Sequence, residues 1–372
     1  MQAIALTIQG NGPVGLALAL WLRRAGWPAH ALQVLDADGA EVGAPRVIPA
    51  ALAQRTLALG LGSVHLLQRA ITLDKAAAIR SVEISMLGYP ARTVIDAAQH
   101  GVDQVGAVIR YGDLMGALID AWNALKPEAM SSSSTSTRVV VHAEGKIPQD
   151  EGVREFDQAA LTAELGVQHA SLAPGRAFER FTDQGPLAML PLPEPRRYAL
   201  VWCAHHERVA QRAAGPTASW LEELQQALGP RFGLLELLSP AQVVPLIRRR
   251  RHQTLALSRQ AADPHHLWIG NAAQSLHPVA GQGLNLGLRD AFELAQTLLR
   301  ATAVGLPEAL QRWHAARRRD ATLMIASTDS LAWAFTIGPA RPAYNLALGG
   351  LNATPLLRNR LARHLMFGRR AA

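Results

Sequence analysis

Residues 3–36 read AIALTIQGNGPVGLALALWLRRAGWPAHALQVLD, and this stretch decides the fold. Ala3 to Ile8 is a short apolar run ending at Gly10, and Val14 to Arg24 carries apolar side chains densely enough for a buried helix that stops near Gly26. A second apolar run, Ala31 to Leu35, ends in Asp36. Strand, glycine turn, helix and strand in this order make a βαβ unit, and such a unit requires a parallel sheet. The chain opens as an α/β protein.

The turn itself, Gly10-Asn11-Gly12-Pro13-Val14-Gly15, fits G-x-G-x-x-G. Gly10 allows the tight turn, Gly12 lets the backbone approach a pyrophosphate, and Gly15 lets helix and strand pack closely. The helix N-terminus then offers unpaired N–H groups and the positive end of its dipole. Asp36, 21 residues beyond Gly15, stands where a carboxylate accepts hydrogen bonds from an adenosine ribose. These residues point to a dinucleotide site and leave NAD and FAD equally open.

Further along, Pro49 to Gly60 has a helical pattern, two strands are expected around Val82 to Leu87, and a helix over Gly112 to Leu125 follows Val108-Ile109-Arg110. Ser131 to Thr137 reads as a polar surface loop before a strand at Arg138 to Val141. Three runs separated by Gly and Pro turns, Arg176–Phe181, Leu187–Leu190 and Tyr198–Cys203, suggest antiparallel strands of a second layer. A helix over Ser219 to Leu228, a strand over Val243 to Leu257, a buried strand at Leu267-Trp268-Ile269, and helices over Gly283–Arg300 and Pro307–Ser327 complete the pattern. The tail, Leu331 to Arg370, mixes apolar and basic residues.

Composition narrows the class. The chain has 372 residues, a net charge of +8, 49% hydrophobic and 18% charged residues, which excludes a disordered chain. One cysteine, Cys203, leaves no disulfide framework and no cysteine-based zinc site. His205-His206 and His265-His266 have no ligand-spaced carboxylates nearby in sequence, so they read as solvated loops and no metal is expected. The run Arg248 to Arg251 lacks the aromatic interleaving of a nucleic-acid surface and reads as a solvated strand face, with no nucleic acid as partner. The N-terminus lacks a basic leader, and no apolar window spans a bilayer, so a cytoplasmic protein is expected.

A second constellation runs from Trp268-Ile269-Gly270-Asn271 through His277-Pro278 to Gly281-Gln282-Gly283-Leu284-Asn285 and Asp290. A strand feeding a Gly-Gln-Gly loop and a helix could hold the polar edge of a flat heterocycle. This segment resembles the second FAD motif of aromatic-ring flavoprotein monooxygenases of the para-hydroxybenzoate hydroxylase fold. Gly175-Arg176-Ala177-Phe178-Glu179-Arg180-Phe181-Thr182, Gly185 to Pro191 and Gly270-Asn271-Ala272-Ala273 are similar, more narrowly, to the ubiquinone-biosynthesis hydroxylases.

The resemblance implies a Rossmann-like FAD-binding domain (1–60, 106–160 and 258–305), an interleaved antiparallel-sheet substrate domain (61–105 and 161–257) and a helical C-terminal region (306–372). It implies that Gly10, Gly12, Pro13, Val14, Gly15 and Asp36 hold the ADP half of FAD and that Arg46 and Arg110 contact the cofactor from its flanks. By the same resemblance Asn271 would meet the ribityl–pyrophosphate region, and Pro278, Gly281, Gly283, Leu284 and Asn285 match the loop near the isoalloxazine. His277 reads first as the residue fixing the turn before Pro278 and second as a general base. The implied reaction is hydroxylation of a polyprenylated phenol in ubiquinone synthesis, with NAD(P)H as co-substrate and a flavin C4a-hydroperoxide as oxygen donor. An implied partner is a ubiquinone-synthesis complex, and the basic, apolar tail reads equally as a contact with the inner face of the cytoplasmic membrane and as a segment packed onto the main body.

One departure stands out. Where the family has an Asp-Gly motif, this chain has Val141-His142-Ala143-Glu144-Gly145. Weakened FAD binding, weakened NAD(P)H use or a non-catalytic paralogue acting as a scaffold are the alternatives it opens; an oxidoreductase of another aromatic compound differs only in substrate.

Overall fold

The computed structural model describes residues 4–36, 39–40, 48–125, 138–145, 152–168, 173–260, 263–275, 282–334, 342, 345–347, 349–350 and 354–368. The opening unit is β1 (Ala5–Gln9), α1 (Pro13–Arg24) and β2 (Leu32–Leu35). Then follow α2 (Ala50–Ala53), β3 (Thr56–Gly60), α3 (Leu61–Gln68), β4 (Ala77–Ile79), β5 (Ser81–Met86), β6 (Arg92–Asp96), β7 (Gly106–Arg110) and α4 (Tyr111–Ala124). The middle of the chain forms β8 (Arg138–His142), β9 (Arg154–Val167), β10 (Arg176–Phe181), β11 (Pro186–Pro191), β12 (Arg197–His205), α5 (His206–Ala214), α6 (Thr217–Leu228), β13 (Leu235–Leu237) and β14 (Gln242–Arg250). Short strands β15 (Leu255–Ala256), β16 (His265–Trp268) and β17 (Gln274–Ser275) lead to helices α7 (Gln282–Arg300), α8 (Leu306–Ala334) and α9 (Pro355–Phe367).

The first layer is a five-stranded sheet in the order β15-β16-β8-β1-β2, parallel except for β15. In β1 and β2 the buried side chains alternate, whereas α1 is buried from Val14 to Leu22 because α4 and α7 cover the sides that the sheet does not. Each fully buried leucine of α1 contributes roughly 1.5–3 kcal/mol.

The second layer has the strand order β17-β14-β9-β12-β11-β10-β5-β6, with β13 pairing on β9. Alternation gives its two faces different tasks. Phe178, Leu200, Trp202, Leu161 and Leu165 point to a core closed by α6 and Phe232. On this side the Arg212 guanidinium lies 3.5 Å from the Trp202 ring centre and pairs with Glu223 at 2.6 Å. The other face, with Ala177, Ala188, Val201 and Ala160, looks toward the first layer across a cavity. A three-stranded sheet, β3-β7-β4, and the inner side of α9, where Ala362 and Met366 are buried, close the cavity end.

Several expectations need correction. Pro49 to Gly60 is a single helical turn followed by a strand, because Thr56–Gly60 pairs with Gly106–Arg110 and tertiary pairing overrides a local pattern. The second layer is not wholly antiparallel: β10 and β5 run parallel, which the long crossover between them permits. The expected boundary at 160/161 falls inside β9, a 14-residue strand that stays in the second layer throughout. The segment 243–257 is not one strand: the chain leaves the second layer after Arg250 and joins the first at Leu255. β4, expected on the substrate side, instead pairs with β7.

The helices behind the first layer are joined by a buried ion pair. Arg317 of α8 donates from Nε to Asp290 Oδ2 of α7 at 2.6 Å, with both side chains almost fully excluded from solvent. Removing one partner strands the other charge. Asp290→Ala should therefore lower stability by about 3–5 kcal/mol, read as a shifted urea midpoint, and the double change to Asp290→Leu with Arg317→Met should restore most of it.

Candidate functional site

The glycine turn sits where β1, β8 and α1 converge. Gly10 has φ +113°, and a Cβ there would lie 2.3 Å from the carbonyl carbon of Ala143, so neither the conformation nor the space admits a side chain. A Cβ on Gly15 would lie 2.0 Å from the Gly10 oxygen, which fixes how closely α1 seats on the turn. Gly12 differs: a Cβ there meets nothing within 4 Å. It is the N-cap of α1 and supplies no side-chain bond to the first-turn N–H groups, with Pro13 next in the helix. Gly12, Pro13 and Val14 line the cavity, so this uncapped first turn borders open space, as an anionic pyrophosphate requires. Asp36 stands just past Leu35, whose oxygen accepts from Gly10 N at 2.8 Å, and its Oδ1 accepts from Ala40 N at 2.9 Å. The carboxylate is thus held beside the turn.

From this cradle a cavity of about 1240 Å³ runs between the layers. Gly10, Gly12, Pro13, Val14, Asn271, Gly283, Leu284 and Asn285 line its first-layer side, and the inner face of the second layer lines the other. Asn285 ties the loop side to β3: its Oδ1 accepts from Gly60 N at 2.8 Å and its Nδ2 donates to Ala58 O at 3.1 Å. Arg110 does not line the cavity. Its Nε and Nη2 donate to the two Glu164 oxygens at 2.8 and 3.0 Å, and its Nη1 to Glu194 at 2.9 Å, clamping β7 to the second layer. The Arg110 hydrogen bond holds the Glu194 carboxyl below its usual range.

At the Glu144-Gly145 step the carboxylate is held in a side-chain chain. Glu144 Oε1 lies 3.2 Å from His142 Nδ1, and His142 Nε2 lies 3.0 Å from His266 Nδ1. The roles that satisfy all three are His266 donating to His142 and His142 donating to Glu144. His142 also stacks on Trp268, with 4.6 Å between ring centres, and Arg251 covers that indole at 4.4 Å. Burial works against ionisation of Glu144, but the His142 hydrogen bond and nearby backbone N–H groups outweigh it and leave the carboxyl below its ordinary range. Burial, then His142, lowers the His266 pKa. Glu144 Oε2 is buried, has no partner, and its residue lines the cavity beside the cradle.

The structure thus gathers Gly10, Gly12, Pro13, Val14, Asn271, Gly283, Leu284 and Asn285 around one cavity; Gly15 seats α1 on the turn, and Asp36 stands outside the cavity lining with its carboxylate on Ala40 N. Arg46, His277, Pro278 and Gly281 lie outside the described residues. The histidine pairs are not solvated loops. His265 and His266 belong to β16, and His265 is buried. His205 closes β12 and His206 opens α5, and a carboxylate does accompany them, since Asp157 lies 2.8 Å from each. This exposed group is away from the cavity lining. Arg251 is not a solvated strand residue either, because it stacks on Trp268. The wall glutamates Glu164 and Glu179 and the His142–His266 pair were not singled out from sequence; the period-2 alternation of β9 and β10 was the signal available for the glutamates.

A glycine cradle at the end of a parallel sheet, open to a cavity floored by a second sheet, defines a dinucleotide-dependent flavoprotein architecture. The chain belongs to the FAD-binding domain family, whose model matches residues 136–328. It is 33% identical over 240 residues to the ubiquinone hydroxylase UbiL of Rhodospirillum rubrum, a match covering 62% of this chain and about half, 54%, of that protein. It is 26% identical to the 3-demethoxyubiquinol 3-hydroxylase of Escherichia coli over 98% of this chain and 99% of that one. Among solved structures, p-nitrophenol 4-monooxygenase of Pseudomonas putida superposes with a TM-score of 0.72 at 15% identity, covering both chains fully. HpxO of Klebsiella pneumoniae, solved with FAD, gives 0.69 at 12% identity over 98% of this chain and 99% of that one. These likenesses show the monooxygenase fold, and the open first turn of α1 is a donor set that fits the FAD pyrophosphate.

Because the space beyond Gly12 is empty of protein, Gly12→Val should leave the far-ultraviolet circular dichroism unchanged and remove bound flavin, read from visible absorbance after gel filtration with excess FAD. Unchanged flavin content would remove Gly12 from the cofactor site.

Proposed function

We propose that this chain is an FAD-dependent monooxygenase that hydroxylates the aromatic ring of a polyprenylated phenol in ubiquinone synthesis, using NAD(P)H and O2. The observation that carries the reading is the single cavity joining the glycine cradle to the apolar inner face of the second layer. Its volume of about 1240 Å³ exceeds the ~300–1,000 Å³ of an ordinary small-molecule site, as a cavity shared by a cofactor and a second ligand should. The ubiquinone hydroxylases among the relatives support the substrate class.

When bound, FAD supplies the electron transfer from NAD(P)H and the activation of oxygen that put a hydroxyl on the ring. The protein binds, orients and shields. First-turn N–H groups of α1 receive the pyrophosphate, Asp36 takes the ribose hydroxyls, and Asn271 with Gly283 to Asn285 border the ring end. Val82, Ile84, Ala188, Leu190 and Val201 present the substrate with an apolar wall that excludes water from the reacting ring. At the far end Leu361, Ala362 and Met366 of α9 extend the apolar lining, which suits a long hydrocarbon chain.

A second reading, a non-catalytic scaffold of the same fold, is favoured by Glu144 standing where the family has the Asp-Gly aspartate. The visible spectrum separates the two. Bound flavin that NAD(P)H bleaches without oxygen is the expected result; a colourless protein that takes up no FAD would make the scaffold the better reading.

Peripheral membrane contact belongs to the same proposal. No helix among the described residues is long and apolar enough to cross a bilayer, but Leu356 and Leu357 are exposed on α9 beside Arg358 and Arg360. Replacing Leu356 and Leu357 by Glu should reduce flotation with anionic liposomes several-fold. Equal flotation would exclude this helix as the contact.

A further inference from the structure

Among the described residues three glutamates line the cavity: Glu144, Glu164 and Glu179. Two are engaged, Glu144 by His142 and Glu164 by the fork of Arg110. Glu179 is not. It lies mid-strand in β10, and no described side chain or backbone group hydrogen-bonds or ion-pairs with its carboxyl.

Sheet register shows what surrounds it. Glu179 stands opposite Ile84 of β5 on one side and Ala188 of β11 on the other. Ala188 stands opposite Val201, Val201 opposite Thr162, and Thr162 opposite Gln242, so one row crosses five strand pairings from Ile84 to Gln242 along the cavity wall. Every member of this row lines the cavity. The row on one side holds Phe181, Pro186, Cys203, Ala160 and Val244. An acid has thus been placed in the middle of an apolar wall.

The charges of the neighbouring strands do not meet it. Arg176 and Arg180 alternate to the opposite face of β10, where Glu83 of β5 pairs with Arg231 and with Arg176. Among the described residues β5, β11 and β14 bring no ionisable side chain to the cavity wall, β9 brings Glu164, which Arg110 holds, and β12 brings the Cys203 thiol. Cys203 is pushed up by its burial and then by Glu179 itself, so it stays a neutral thiol. Glu179 is half-buried and lines the cavity, and desolvation pushes its carboxyl up to about 7. A half-buried, desolvated acid on a cavity wall with no partner among the described residues marks a place where a ligand completes the hydrogen bonding.

We propose that Glu179 is the polar anchor of the substrate, a carboxyl that hydrogen-bonds the ring hydroxyl of the phenol and exchanges its proton. This inference rests on the hydroxylase reading above. The ring hydroxyl gives its proton to a Glu179 carboxylate oxygen as negative charge grows on the phenol oxygen, and the resulting carboxylic acid returns it to the product oxygen, so no net proton is left on the protein. Phe181 and Pro186 on one side of Glu179 and Ala177 and Leu190 on the other hold the ring and its hydrocarbon substituent, and Glu179 sets which way the hydroxyl points.

The test uses the full chain loaded with FAD and 4-nitrophenol, whose ionisation is visible in its own spectrum, titrated between pH 5.5 and 9 (roughly two units to either side of neutrality). The wild-type affinity is expected to fall about tenfold per pH unit on the alkaline side, where carboxylate and phenolate repel across one missing proton. Glu179→Gln, which keeps shape and hydrogen bonding, should abolish that fall, and Glu179→Leu should bind weakly at every pH; both should keep wild-type flavin content. Identical pH profiles for wild type and Glu179→Gln would overturn the assignment of Glu179 while leaving the hydroxylase reading intact. A wild-type protein that holds FAD but binds no phenol would overturn the hydroxylase reading and this inference with it. An independent readout needs no ligand: the infrared carbonyl band of a protonated carboxyl should be present at pH 6, bleach on passing through neutrality, and be missing in Glu179→Gln. Its absence from the wild type would also overturn the proposal.

Discussion

The contact between the end of β1 and the end of β8 governs the rest of the molecule. Gly10 can lie against the Ala143–Glu144 backbone only because it has no Cβ and takes a positive φ. That approach lets α1 begin where it does, and Gly15 lets it seat on the turn. Val14 of the same turn is then close to Gly270 and Gly287, so the second glycine-rich segment docks on the first. The two motifs, more than 250 residues apart in sequence, become the two borders of one cavity. Any bulk at this junction would separate the glycine turn from the Asn271 and Gly283 border of the cavity.

Around the cavity, charge is handled by pairing. Arg110 joins Glu164 and Glu194, Glu144 leans on His142, and Asp290 takes Arg317 behind the sheet. A charge in such surroundings is tolerable when its partner is fixed within hydrogen-bonding distance. Glu179 breaks the pattern, and the exception lies on the inner wall of the cavity. The Arg110 clamp also gives one residue a structural task beside the cavity, since it connects β7 to the second layer.

Much of the first layer was legible in the sequence because its signals are local. The run Ala3 to Ile8, the glycine turn and the buried helix after it need only periodicity and chain geometry to be read. The second layer was harder. Arg154 to Val167 contains Ala159-Ala160-Leu161-Thr162-Ala163-Glu164-Leu165, whose composition suits a helix as well as a strand, and its strand state comes from partners on both sides. Thr56 to Gly60 misled for the same reason. Asp157 joins His205 and His206 only through the pairing of β9 with β12, so sequence neighbours could not announce it. Gly10, Gly12, Gly283, Asn271 and Asn285 were singled out through motif and the structure brings them to one cavity, whereas Glu179 needed register, because its meaning lies in what stands beside it across the strands.

The chain crosses between its layers repeatedly, passing from β8 into β9 and, after Arg250, from β14 to β15. The consequence concerns how such a molecule is made. β1 must wait for β8, and β8 for β16, before the central strands of the first sheet have both neighbours. An N-terminal fragment leaving the ribosome therefore has an unfinished sheet with open edges, and folding depends on contacts between residues far apart in sequence. Assembly should consequently be slow and all-or-none across both layers, with neither layer surviving as an excised piece, and the nascent chain exposed to misassociation until its last third has emerged.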